Sequence, residues 1–223
     1  MQTEGHDFSA AAETLGHQLR HVYWIGGGSA AGKSTITRRI AAEHGLQPYV
    51  TDDVMADHAQ RSTPRDCPLL HMFMAMDMDQ RWVRRSPEAM LETFHWFRGE
   101  GFDLIIEDIL TMPKKPGVVV DGFRLLPHLV KPLLADRSHA VWLIPTPEFR
   151  QAVLESRGGP KWGFIAKTGD PERALRNVLE RDAMFTDRLN DEAQRLGLNT
   201  IEVNPSMTEA DLTARVVQAF GLS

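Results

Sequence analysis

The octapeptide Gly27-Gly28-Ser29-Ala30-Ala31-Gly32-Lys33-Ser34, followed by Thr35, constrains this chain more than any other feature. It fits the pattern G-x-x-x-x-G-K-[ST], and it stands between a short apolar run at 22–25 and a helically periodic segment at 34–44. Glycines and small residues let backbone N–H groups curl around a phosphate without Cβ clashes. The helix N-terminus behind them adds partial positive charge. In such a loop Lys33 reaches the β- and γ-phosphates of a nucleoside triphosphate, and the Ser34 hydroxyl ligates Mg²⁺. The competing reading is a glycine-rich turn beside an ordinary surface lysine. Against it, Lys33 is the only lysine before residue 114. The expectation is a strand–loop–helix unit holding nucleotide phosphates.

The flanking sequence supports one α/β domain over residues 1–223. Short apolar runs at 22–25, 47–51, 118–120, 140–144 and 200–203 alternate with helical periodicities, the pattern of a parallel sheet covered by helices on both faces. Before the first strand, Phe8, Ala12, Leu15 and Leu19 fall at helical spacing, with Ser9 as N-cap. Helices are expected at 68–82, at 87–98 with Ser86 as N-cap and Pro87 at N1, and at 147–156. A long helix opens at Asp170-Pro171-Glu172 and closes at Gly197, and a last one starts near Thr208. Segment 102–110 has a strand-like centre, but its apolar residues at 102, 105, 106, 109 and 110 follow the helical template, so a helix is expected.

Composition narrows the class. The 223 residues carry 25 basic and 30 acidic side chains, net −5, with no general electrostatic footprint for nucleic acid or an anionic membrane. No apolar run approaches the roughly 20 residues of a membrane span, and no signal peptide is visible. One cysteine, Cys67, excludes an internal disulfide framework and multi-cysteine zinc patterns. A soluble cytoplasmic protein is expected. Neither nucleic acid nor membrane is expected as a partner, and a homodimer is left open.

The order strand, phosphate loop, helix, then Thr51-Asp52-Asp53 after the second strand and Asp121-Gly122-Phe123-Arg124 after the third, resembles the nucleoside-monophosphate-kinase-like group of P-loop kinases. That group includes adenylate, shikimate and gluconate kinases, chloramphenicol phosphotransferase and zeta-type toxins. Features of other P-loop classes are missing: there is no N-K-x-D, no LSGGQ-like signature and no clear hydrophobic-Asp-Glu motif. The resemblance implies strand order 2-3-1-4-5, a helical acceptor region at 54–100, a small lid at 157–171, and ATP with Mg²⁺ as cofactors.

The resemblance also implies roles. An Asp after the second strand contacts the acceptor hydroxyl and acts as general base; Asp53 is the candidate, with Asp52 beside it as base, metal contact or helix cap. Asp121 stands where an acid contacts Mg²⁺, unless it only forms an Asp-Gly turn. Arg157, Arg176 and Arg181 are the candidates for stabilising the transferring phosphoryl group, chosen from a set that also holds Arg150 and Arg173. Adenine is placed near Asn204 and Pro205 by position in the group. Arg61, Arg81 and Arg124 are available to an anionic acceptor, although Arg124 follows Phe123 without the intervening Pro of D-G-F-P-R. The Met- and aromatic-rich stretch at 58–96 suits an apolar or planar acceptor, with a packed helical core as the alternative. His58, His71 and His95 lack metal-ligand spacing and are expected to pack or face solvent.

The implied activity is transfer of the γ-phosphate of ATP to a small-molecule acceptor, with a hydroxyl favoured over a nucleoside or nucleotide. The rival of another class is a nucleotide-binding regulatory module with little turnover.

Overall fold

A computed structural model describes residues 14–222. The expected Ser9 cap and the contributions of Phe8 and Ala12 lie outside these residues. Helical turns at 14–18 lead into β1 (Val22–Gly27), which runs into the glycine-rich loop and α1 (Lys33–His44). β2 (Gln47–Val50) follows, and then a helical region made of α2 (Met55–Arg61), α3 (Pro68–Ala75), α4 (Met78–Trp82), α5 (Pro87–Thr93) and α6 (Phe102–Thr111). β3 (Val118–Asp121), α7 (Pro127–Val130), β4 (Ala140–Pro145), α8 (Pro147–Ser156), α9 (Pro171–Arg195), β5 (Asn199–Val203) and α10 (Glu209–Phe220) complete the order.

The five strands form one parallel sheet in the order β2-β3-β1-β4-β5. Side chains alternate across it, as strand geometry requires. Val22, Trp24, Val118, Val120 and Trp142 pack on one face with α6. Ile25, Val119, Val141 and Leu143 pack on the other with α1 and α10. Trp142 is fully buried, and its indole Nε1 donates to the Leu125 carbonyl at 2.9 Å. Ile25 pairs in register with Asp121, and so does Val50, so the carboxyl ends of β1, β2 and β3 lie at one edge. From β1 the chain goes to β2 on one side of the sheet, and from β3 it crosses to β4 on the other, so the carboxyl edge near β1 and β3 is the kind of crevice where open parallel sheets bind ligands.

Local reading and structure differ in instructive places. Residues 102–111 are helical, as their periodicity indicates, with Ile105 and Ile109 fully buried. The helix expected at 68–82 is broken. Met76 is extended, and Asp77 starts α4 through a capping box in which its carboxylate accepts from Gln80 N at 2.7 Å while Gln80 Oε1 accepts from Asp77 N at 2.9 Å. Ser86 caps α5, but that helix stops at Thr93; an extended Phe94 leads to a 3₁₀ turn at His95–Arg98. The proposed lid is not a bare loop, because 3₁₀ turns at Gly159–Lys161 and Ile165–Lys167 bury Ile165 against α9 and the helical region. Among the described residues, no helix is long and apolar enough to cross a membrane.

Because Trp142 fills the layer between the sheet and α6, Trp142→Ala should lower unfolding free energy by ~3–5 kcal/mol. Chemical denaturation measures this, and a loss below about 1 kcal/mol would contradict the packing described.

Candidate active site

The glycine-rich loop owes its shape to one close approach and one left-handed turn. Gly27 has φ 126°, and a Cβ there would lie 2.1 Å from the Leu143 carbonyl oxygen of β4. Gly32, at φ 78°, turns the chain into α1, whose first turn carries no acidic residue to neutralise its dipole. Lys33 is buried, and its Nζ donates back to the carbonyls of Gly28 at 2.7 Å and Gly27 at 3.2 Å. Burial lowers the Lys33 pKa, and Asp52, Asp121 and Asp182 partly restore it.

Beneath the loop, Ser34 Oγ donates to Asp121 Oδ1 at 3.0 Å. Asp121 is 1% exposed, and its Oδ2 has no hydrogen-bond partner among the described residues. Burial pushes its carboxyl up to about 6, against the pull of Lys33 and the Ser34 hydroxyl. A buried carboxylate oxygen left without a partner is costly, and a cation at this position removes the cost.

A cavity of about 430 Å³ opens in front of the loop, between α9, the lid and the helical region. Ser29 through Thr35 line it, while Gly27 and Gly28 stand behind them and offer their carbonyls to Lys33. Asp52 lines it as well. Asp52 is open to water at the cavity wall yet largely surrounded by protein, which raises its pKa; Lys33 and then Arg124 oppose that rise.

Asp53, the expected base, does not face the cavity. The turn after β2, closed by Asp53 N donating to Val50 O at 3.0 Å, sends consecutive side chains in different directions. Asp53 is 67% exposed and pairs with Arg38 at 3.5 Å. Of the two acids, Asp52 is the one that faces the cavity.

The arginines divide in the same way. Arg157 lines the cavity, with its guanidinium over the Trp162 ring at 5.5 Å. Arg181 lines it too, bound to Asp182 Oδ1 through Nε at 2.8 Å and Nη2 at 2.6 Å. Arg176 is exposed and off the cavity, because the inward face of α9 runs through Ala174, Val178, Arg181, Asp182 and Phe185. Arg150 is buried against Thr186 Oγ1, at 2.8 Å. Arg61 is an exposed ion-pair partner of Asp57, Glu107 and Asp108, away from the cavity. Arg81 closes the end of α3 by donating to the Phe73 and Met74 carbonyls. Arg124 is buried over Trp96 and donates to Gly101 O, reaching the site only through its field on Asp52. Asn204 and Pro205 do not line the cavity; Asn204 Oδ1 accepts from Ser206 N and Oγ in a self-contained turn.

His58 is buried against Asp108 at 2.8 Å, His95 is buried among aromatic rings, and His71 faces Ser62. Cys67 is buried, which raises its thiol pKa. Among the cavity residues that escaped the sequence reading are Asp182, Trp162 and Phe164. The spacing of Val178, Asp182, Phe185 and Leu189 carries the signal for Asp182; no periodicity marks the two lid aromatics.

The Asp121 ionisation has a signed consequence. Its folded pKa, about 6, lies above the ordinary carboxylate value of 3.8, so folding favours the protonated acid. Its contribution to stability is complete below pH 4 and is lost as pH rises through 6. The loss is on the order of 3 kcal/mol at pH 8, at ~1.4 kcal/mol per tenfold. Asp121→Asn, a neutral stand-in for the acid, should therefore raise the thermal midpoint at pH 8 and leave it nearly unchanged at pH 4. Equal effects at both pH values would contradict the assignment.

No protein-family model matches the chain, and no curated protein matches it. Among solved structures, an uncharacterized protein from Eubacterium ventriosum is similar over 91% of this chain and 98% of its own, with 12% sequence identity and a TM-score of 0.43. A likeness of that degree carries no functional argument, and the meaning of the site rests on its own residues.

Proposed function

We propose that the chain is a P-loop phosphotransferase that moves the γ-phosphate of ATP to the hydroxyl of a small molecule, with magnesium as cofactor. The observation that carries this reading is the buried Ser34–Asp121 pair under the glycine-rich loop, beside Lys33 and with one carboxylate oxygen unpartnered. The donor set fits the ion. Among the described residues no cluster of three or more His, Cys, Asp or Glu is placed to hold a metal. Magnesium bound through a nucleotide needs fewer, because it keeps waters and phosphate oxygens as ligands alongside one or two protein groups. Ser34 and Asp121 would hold it, and when bound it neutralises charge on the phosphate oxygens.

The chain's own residues supply the rest. Loop N–H groups and Lys33 bind the phosphates, and Lys33 exchanges its two carbonyl partners for them. Asp52 orients the acceptor hydroxyl. As that oxygen bonds to the γ-phosphorus, the bond to the β–γ bridging oxygen breaks, ADP departs and the hydroxyl proton passes to Asp52. A base with a raised pKa takes the proton more readily, and its protonation imposes an acid limb on the rate. Arg157 brings a planar cation to the same end of the cavity. A nucleotide acceptor is disfavoured, because Arg61 and Arg81 are engaged elsewhere.

ADP release with a panel of small alcohols, together with ATP titration by calorimetry, tests this reading. Asp52→Asn should cut phosphoryl transfer by ~100-fold or more while ATP affinity holds within a few-fold. Asp53→Asn should stay within about threefold of wild type, and Lys33→Ala should lose ATP binding. Equal loss in the two Asp variants rejects the assignment of the base. ATP binding without transfer to any alcohol in the panel favours the regulatory-module alternative.

A further inference from the structure

The cavity has two ends of different chemistry. At one, Lys33, Asp52 and Arg157 act on one another electrostatically beside the loop. At the other, Arg181 lies against the faces of Trp82, Phe94 and Phe97, with its guanidinium carbon 4.8–5.2 Å from the ring centroids. Its side chain is only 6% exposed. Nε and Nη2 are satisfied by Asp182, but Nη1 has no partner among the described residues. A buried guanidinium N–H without an acceptor loses its hydration for nothing in return, so it is matched to an oxygen that arrives with a ligand.

Rings make up much of the cavity wall. Trp96, Phe123, Trp162 and Phe164 are each half-buried and line the cavity, leaving part of their surfaces open to it. Such a wall favours a flat, apolar body over a bare sugar.

Resting on the phosphotransferase reading above, we propose that the acceptor is a planar aromatic alcohol or phenol whose ring carries a carbonyl or carboxylate oxygen. The ring inserts among Trp96, Phe123, Trp162 and Phe164, its oxygen accepts from Arg181 Nη1, and its hydroxyl reaches toward Asp52. Arg181 thereby recognises the acceptor, and the charge on the transferred phosphoryl group is left to Arg157.

Calorimetric titration of the full chain with four probes tests this: para-hydroxymethylbenzoate, its cyclohexane counterpart, benzyl alcohol and glycerol. The aromatic acid should bind at least ~tenfold tighter than the cyclohexane acid and than benzyl alcohol, with glycerol undetected. Arg181→Met should erase the advantage of the aromatic acid over benzyl alcohol. Because that change leaves Asp182 buried without its partner, Trp162→Ala on the half-buried lid serves as a second variant. It should weaken both aromatic probes and leave the cyclohexane acid unaffected. Equal binding of the aromatic and cyclohexane acids to wild type overturns the inference, as does an unchanged preference in both variants. A parallel ATP titration separates the two readings. ATP binding without aromatic selectivity defeats only the acceptor class; aromatic selectivity without ATP binding defeats the phosphotransferase reading and the acceptor role with it.

Discussion

A carboxylate buried at the carboxyl edge of a parallel sheet is the constraint around which the rest of this structure is arranged. Asp121 ends β3 in register with Ile25 of β1 and Val50 of β2, so its place is set by the sheet itself. Burial opposes its charge, and the field of Lys33 with the hydroxyls of Ser34 and Thr37 offsets only part of that cost. Lys33 in turn is buried where only the loop carbonyls and the acids around it can compensate its ammonium. A lysine and an acid so placed, each imperfectly satisfied, form a site that the proposed nucleotide with magnesium would complete.

The same arrangement accounts for the cavity in front. Helix α9 presents Arg181 and Asp182 inward as an ion pair, and the 157–171 segment contacts the helical region through Gly169 N donating to Asp79 Oδ1 at 2.6 Å. The aromatic residues then have two tasks. Some build the core that holds the helical region to α9, such as Phe97, stacked on Phe185 with centroids 3.6 Å apart. Others leave part of their surface open to the cavity. On the proposed function, one wall would then serve both packing and recognition of the acceptor.

Much of the fold was legible in the sequence, because its signals are local. The glycine-rich octapeptide, the 102–110 periodicity and the Ser86, Asp170 and Thr208 caps each depend on a few neighbouring residues. What escaped depends on direction or on distant assembly. Asp52 and Asp53 are chemically equivalent in sequence, and only the turn after β2 decides which faces the cavity. Arg176 and Arg181 differ by the face of one helix. The break at Met76 comes from an Asp–Gln capping box inside an apolar run that otherwise reads as continuous helix. The aromatic wall draws on segments around residues 73, 94, 123 and 162, and no period links them.

Proton release on nucleotide binding tests the central claim most directly, because it reports on Asp121 itself. With a carboxyl at about 6 that must ionise to meet a metal ion, binding of ATP with magnesium at pH 6 should release about half a proton from this group. Calorimetry in buffers of different ionisation enthalpy measures that release, and Asp121→Asn should abolish it. Magnesium-independent binding, or a release unchanged in the Asn variant, would contradict the account.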